Sequence, residues 1–394
     1  MKSVNFFSLP VTPFILMFLL SNTSLGQNYV WSEAVVGSDD VEAVDVVYTN
    51  TDGVWGLINF EGSLQINGET YSSFGDESTL FFNSNEDGEI QNAVPLIGSG
   101  EVKGTDIVFD DMLYLACQYS DNIQIGDSTL QNLQGENALL ARFNEDGLNE
   151  GWVNFSSTGQ VSGVRLVTNA SGNVYACGSF QEQINFGSDS LTSFGQESIF
   201  LIGLNSDLEP LWSQKYDSQE SVEITGLEIN ADDELFVSAT FEGNLLLGTD
   251  VVPNSSGKDM VIFSVGNDQS IDWFYSAGSD EEVEIMDITL NEDNLIATGF
   301  YEGTLFLPDS TFTSTGDKDS YLLSLNQEGE FDWLLRINSE DDVEAVSLDC
   351  EDEQCALLGT NEGNVTFNET EIINGSNDDM FVLWFAADGG IQYP

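Results

Sequence analysis

Carboxylates recur at one place in this chain. They fill six short polar stretches: GSDD (37–40), GSGE (98–101), STGQ (157–160), DSQES (217–221), GSDEE (278–282) and NSEDD (338–342). Asp39, Asp40, Glu101, Glu220, Glu282, Asp341 and Asp342 are the candidate site residues, with Gln160 and Ser221 as neutral members of the set. Two residues further on the acid returns as Glu42, Glu223, Glu284 and Glu344, with Lys103 and Ser162 as exceptions. Carboxylates gathered on an axis are hard oxygen ligands suited to Ca²⁺, and short of that they make a cation-attracting mouth. Two of them at a suitable separation could hydrolyse a glycoside. Each stretch also reads simply as a turn, where Gly, Ser and Asp are chosen for backbone geometry.

Other chemistry is excluded by what is missing. The chain has no histidine, so His-based acid–base, triad and zinc-hydrolase schemes are out. No G-x-S-x-G, phosphate-loop or dinucleotide fingerprint occurs. With 68 acidic against 8 basic residues and a formal charge of −60, nucleic acid and anionic membrane surfaces are repelled. Nothing singles out a catalytic pair, so the expectation is a binding protein with a protein or glycan partner. No cofactor is expected apart from Ca²⁺. Asn83-x-Asn85-x-Asp87-Gly88 imitates the start of a calcium loop but has Val94 at the twelfth position, and it is read as a hairpin turn.

The elements that must position these acids are set by an internal repeat. DDVEAV occurs at 39–44 and again at 341–346. Aligning on its valine gives Val41, Val102, Val161, Val222, Val283 and Val343, spaced 61, 59, 61, 61 and 60 residues apart. Tryptophan forms a second column (Trp31, Trp152, Trp212, Trp273, Trp333) and glycine a third (Gly75, Gly135, Gly195, Gly257, Gly316). Within a unit, apolar residues alternate with period two between Asn-, Asp- and Gly-rich turns, and four such runs fit one period. Four strands per repeat is the pattern of a β-propeller blade. The fixed place of the tryptophans favours packing between blades over sugar stacking.

The ends set the expected count. Unit six has only three strand runs before Pro394, while Trp31-Ser32-Glu33-Ala34-Val35-Val36 is an orphan fourth strand. The expectation is therefore all-β: a six-bladed β-propeller of four-stranded antiparallel blades, closed by the N-terminal strand pairing into the last blade. Closure would remove the open sheet edges. The repeats run about 41–101, 102–160, 161–221, 222–282, 283–342 and 343–394, with 30–37 completing the last, so that 27–394 is one domain and a monomer. Lys2, the apolar run from Phe14 to Leu20, and Ser24-Leu25-Gly26 read as a secretory signal peptide over 1–26. That run is too short for a membrane span, and the product is expected outside the cell. Cys350 and Cys355 flank a tight loop, where a disulfide and two thiols are both open. Cys117 and Cys177 lie in apolar runs and read as buried free thiols.

The segments GNVYACGSF (172–180), SGKDMVIFSV (256–265), SLNQEGEFDW (324–333) and GSDEEVEIMDITLNEDN (278–294) resemble the SBBP-type repeats of secreted bacterial β-propellers. The resemblance covers about 30–394 and rests on blade-building motifs. It implies a propeller fold and export, commonly with an added C-terminal sorting domain, which is not expected here, and it carries over no catalytic residues.

Overall fold

The period-two alternation becomes strands, and each index valine opens one. In the computed structural model, which describes residues 3–5, 36–49, 53–132, 135–291, 294–308, 310–351, 353–367, 370–374 and 379–390, the inner strands are Val41–Tyr48, Val102–Asp110, Val161–Thr168, Val222–Ile229, Val283–Leu290 and Val343–Glu351. Every described element is a strand. Each inner strand leads an antiparallel meander running outward. In unit two, Val102–Asp110 pairs with Met112–Tyr119, that with Asn137–Phe143, and that with Asn149–Ser157. Units one to five have all four strands, whereas Val343–Glu351, Gln354–Asn361 and Asp379–Ala386 of unit six form three. Trp31 and the leader run lie outside the described residues; Ser3–Asn5 pairs antiparallel with the inner strand of unit one.

The arrangement is a β-propeller, but its hydrogen-bonded sheets do not separate into six four-stranded blades. They form four large sheets, of seven, six, six and ten strands, and two of three strands. The cause is a joint between units. The end of each fourth strand pairs with an outer hairpin of the following unit, as at Gly98 with Ile123, Ser156 with Asn185, Ser218 with Leu245, Ser279 with Leu305 and Asn338 with Thr366. Val36 and Gly37 make the same joint onto unit one, opposite Gln65 and Leu64.

Between consecutive units lies a slab of apolar side chains. Trp55, Leu57 and Phe81 of unit one pack with Leu113, Leu115 and Phe143 of unit two, and the seams from unit two to unit six repeat the scheme. Tryptophan serves these seams: Trp273 Nε1 donates to the Gln327 carbonyl of the next unit at 2.8 Å. Trp333 meets Phe385 of the next unit edge-on, with centroids 6.5 Å apart. Trp152 is the outlier, 39% exposed. In unit six the outermost described strand leaves Met380, Val382 and Trp384 exposed.

The glycine column has a backbone reason. Gly135 has φ +70 and faces the carbonyl oxygen of Gly159 so closely that no Cβ fits, and Gly75 makes the same approach to Gly100. Gly68, at φ +77, has open space around it. A left-handed φ costs an L-residue about 1–2 kcal/mol, and at Gly135 the clash adds to it. We expect Gly135→Ala to lower the melting midpoint by several degrees more than Gly68→Ala in the same buffer. Equal losses would show that the close approach contributes nothing.

Candidate functional site: an acidic mouth and an axial cavity

The six polar links gather at one end of the inner strands. Each is a turn fixed by its backbone: the carbonyls of Asp40, Glu101, Gln160, Ser221, Glu282 and Asp342 accept N–H bonds from Glu61, Ser120, Gln181, Glu242, Glu302 and Glu362, at 2.8–3.1 Å. The side chains of Asp39, Asp40, Glu101, Glu220 and Asp341 are exposed; those of Glu282 and Asp342 are half-buried. Asp39 accepts from Ser38 Oγ (3.0 Å), and Asp342 Oδ1 from the Lys318 N–H (3.2 Å). Among the described residues no group of three or more acidic or cysteine side chains is placed to hold a metal ion.

Three of the few lysines are spent here. Lys103 pairs with Glu42 at 3.1 Å, Lys258 with Glu284 at 2.8 Å and Lys318 with Glu344 at 2.6 Å, and each pair crosses between consecutive units. The balance stays acidic. Burial pushes the Glu77 carboxyl up to about 7; Lys103 opposes this, while Glu42, Glu101 and Glu61 add to it. Glu302 is raised by burial and by Glu282, Glu281 and Asp342, against Lys318. Neighbouring acids therefore feel one another around this mouth without meeting at one point.

The Asn83–Gly88 stretch is the hairpin expected of it: Asn85 Oδ1 accepts the N–H groups of Asp87 (3.1 Å) and Glu89 (2.9 Å), and Gly88 takes φ +79. Asn144 and Asn205 cap the equivalent turns in the same way. Cys350 and Cys355 are disulfide-bonded across adjacent strands, and Cys117 and Cys177 are buried free thiols.

Inside the axis lies a set of residues that the sequence reading passed over. Each inner strand carries a bulge after its second or third residue, so that one residue, or two in unit three, has no partner in the ladder. The residue after the bulge is always the fourth beyond the index valine: Asp45, Asp106, Arg165, Gly226, Asp287 and Ser347. Asp45 Oδ2 accepts the Ile107 N–H of unit two at 3.2 Å, and Asp106 Oδ2 accepts the Leu166 N–H of unit three. Asp287 Oδ2 accepts the Leu348 N–H (2.9 Å) and Ser347 Oγ (3.2 Å) of unit six. Arg165 reaches both ways, to the Thr225 carbonyl at 3.2 Å and the Thr105 carbonyl at 2.9 Å. These side chains clasp inner strands that share no sheet. The signal was available as a column of like spacing, but its members differ in charge, so a search for repeated acids misses it.

Burial dominates this cluster. The Asp45 carboxyl is held well above the usual range by desolvation and by Asp106; Asp106 is raised by desolvation against the pull of Arg165. Asp287 is pushed up to about 7 by burial, opposed by the Leu348 N–H and by Arg165. Beyond the clasp, at the end away from the links, the inner strands enclose a cavity of about 370 Å³. All six contribute, through residues such as Val47, Val108, Val167, Leu227, Ile288 and Leu348.

No protein-family model matches the chain, and no curated protein matches it. The resemblance to SBBP-type repeats thus stands on the quoted motifs alone. Among solved structures, a protein of unknown function from Dyadobacter fermentans DSM 18053 aligns over 86% of this chain and 91% of its own, at 9% identity and a TM-score of 0.42. A single-site mutant of the GH43 protein BlXynB from Bacillus licheniformis aligns over 88% of this chain and 82% of its own, at 12% identity and a TM-score of 0.27.

Asp287 makes a pH prediction. Its pKa is raised on folding, so the folded state holds the proton more tightly than the unfolded chain, and stability falls as pH rises from about 4 to about 7. Asp287→Asn removes that titration and one accepted hydrogen bond. We expect the variant to melt below the parent at pH 5, with a deficit that shrinks by pH 8. A deficit constant across that range would contradict the assignment.

Proposed function

We propose that the chain is a secreted, non-catalytic binding and scaffold module that presents the acidic link end of a propeller to a protein or glycan, assisted by Ca²⁺. The observation that carries this reading is the crowding at the mouth. Lys103, Lys258 and Lys318 are engaged inside the protein, and burial together with Glu42, Glu101 and Glu61 still pushes Glu77 up to about 7. A partner that brings positive charge, or a calcium ion bridging to its hydroxyls or carboxylates, relieves that crowding. Export after removal of 1–26 is supported by the leader pattern and by the Cys350–Cys355 disulfide, which suits an oxidising compartment.

The second reading is an extracellular carbohydrate-active hydrolase or lyase with a carboxylate pair at the mouth. One observation favours it: burial raises Glu77 toward neutrality beside Glu42, whose carboxylate is ion-paired with Lys103. The two readings diverge on neutralisation. In a binding module Glu101→Gln, Glu220→Gln and Asp341→Asn lower affinity stepwise, each by a few-fold at about 0.2–1 kcal/mol per exposed charge. The readout is binding on a glycan array and to an immobilised lysine-rich protein, with millimolar Ca²⁺ and with EDTA. Binding indifferent to all three changes overturns the site, and binding equal in Ca²⁺ and EDTA removes the ion from it. Turnover of a glycan abolished by Glu77→Gln alone replaces the binding reading with the enzyme.

The same proposal includes a ring of six blades closed by residues 30–37. It is supported by Val36–Gly37, which joins unit one as each fourth strand joins the next unit, and by the open edge at Asp379–Ala386. In unit five Ser324 faces Trp333 and Leu323 faces Leu334; the same register puts Trp31 opposite Trp384 and Ser32 opposite Leu383. Closure also brings the two DDVEAV copies to one seam. Ser32→Cys with Leu383→Cys, in a Cys117→Ala/Cys177→Ala background, should cross-link within one chain under mild oxidation. Absence of that bond, when Ser32→Cys alone reacts freely with maleimide, refutes the closure.

A further inference from the structure

The axial cavity lies at the opposite end from the acidic mouth, and its walls have a chemistry of their own. Asp106 and Asp287 stand at its floor, 3% and 4% exposed, and Asp110 and Glu228 stand toward its rim. Between them the wall mixes the aliphatic side chains of Val108, Val167, Leu227, Ile229 and Ile288 with the polar Thr168, Asn169 and Asn230. The one cationic side chain is Arg165, whose guanidinium is occupied by the Thr225 and Thr105 carbonyls beside Asp106. Carboxyl groups thus outnumber the cation four to one in the wall.

That composition selects among ligands. An anion would face the excess of carboxylates with the guanidinium already engaged. A neutral sugar would find Phe109 as the cavity's single aromatic side chain, and that ring is 2% exposed. A chain of methylenes ending in ammonium groups can lie along the aliphatic side chains and meet the acids at floor and rim. The length agrees: Asp106 and Asp110 are four residues apart on one strand, about 13 Å at roughly 3.3 Å per residue. We propose that this cavity binds a linear aliphatic di- or triamine, one ammonium received by Asp287 at the floor and another by Asp110 and Glu228 at the rim. This site is independent of the binding reading at the other end.

The probe is spermidine, titrated into the full chain at pH 7.5 and 150 mM NaCl by calorimetry. One equivalent should bind with a sub-millimolar Kd, and the melting midpoint should rise with concentration, since a ligand of the native state stabilises it. Glu228→Gln and Asp287→Asn should each weaken binding at least tenfold. Leu227→Trp, which fills the cavity and leaves the clasp intact, should abolish it. Asp40→Asn with Glu101→Gln, at the opposite end, should leave it unchanged, and 1,8-octanediol should not bind. Many weak equivalents that vanish in salt, equal loss from changes at the opposite end, or equal binding of the diol would each overturn the site. If Asp287→Asn does not fold, Glu228→Gln and Leu227→Trp decide the matter.

Discussion

A propeller brings its innermost strands together at the axis, but each of them belongs to a different meander, so no sheet ladder joins one to the next. At the bulge every inner strand also leaves backbone groups without ladder partners in a region shut off from water. Buried N–H and carbonyl groups must be paired, and the rest of the structure depends on how that is done here. Asp45, Asp106 and Asp287 supply acceptors to the following strand, and Arg165 supplies donors to the strands on both sides. The cost is carboxyl groups held in a dry place, which shows as their raised affinity for protons. The apolar slabs between units provide bulk attraction, which has no direction; the axial clasp provides direction.

The distribution of positive charge follows the same economy. With few basic residues available, one arginine sits among the axial carboxyls and three lysines sit where acids from consecutive units approach each other. Exposed acids elsewhere are left to solvent and salt, where repulsion is screened within about 8–10 Å. Lys103, Lys258 and Lys318 are therefore placed at the seams, where a like-charge contact would push two units apart.

Much of this was legible in the sequence, for identifiable reasons. The index valines recur with one period and open the inner strands, and all but the half-buried Val41 are buried. The glycine column is visible because the approach of Gly135 to Gly159 tolerates no other residue. The acidic links were found, and their role as turns was stated beside their role as ligands. The sheet count was not legible: joints such as Gly98 with Ile123 couple strands of neighbouring units, and two short polar segments give no pattern that announces a pairing. The axial set was missed because Asp, Asp, Arg, Gly, Asp and Ser share a position and a task while sharing no chemical class.

That last heterogeneity has a consequence for assembly. Six units built to one pattern have interchangeable seams as far as apolar slabs are concerned, so a folding chain could dock a unit against the wrong neighbour at little loss. The clasp residues are not interchangeable. An aspartate expects a free N–H on its neighbour, the arginine expects a carbonyl on each side, and Gly226 leaves room where another side chain would collide. Misordered docking would bury an unpaired carboxylate or guanidinium, an error costing several kcal/mol. The axis thus gives each seam an address, and chain order is written into a series of repeats built to one pattern.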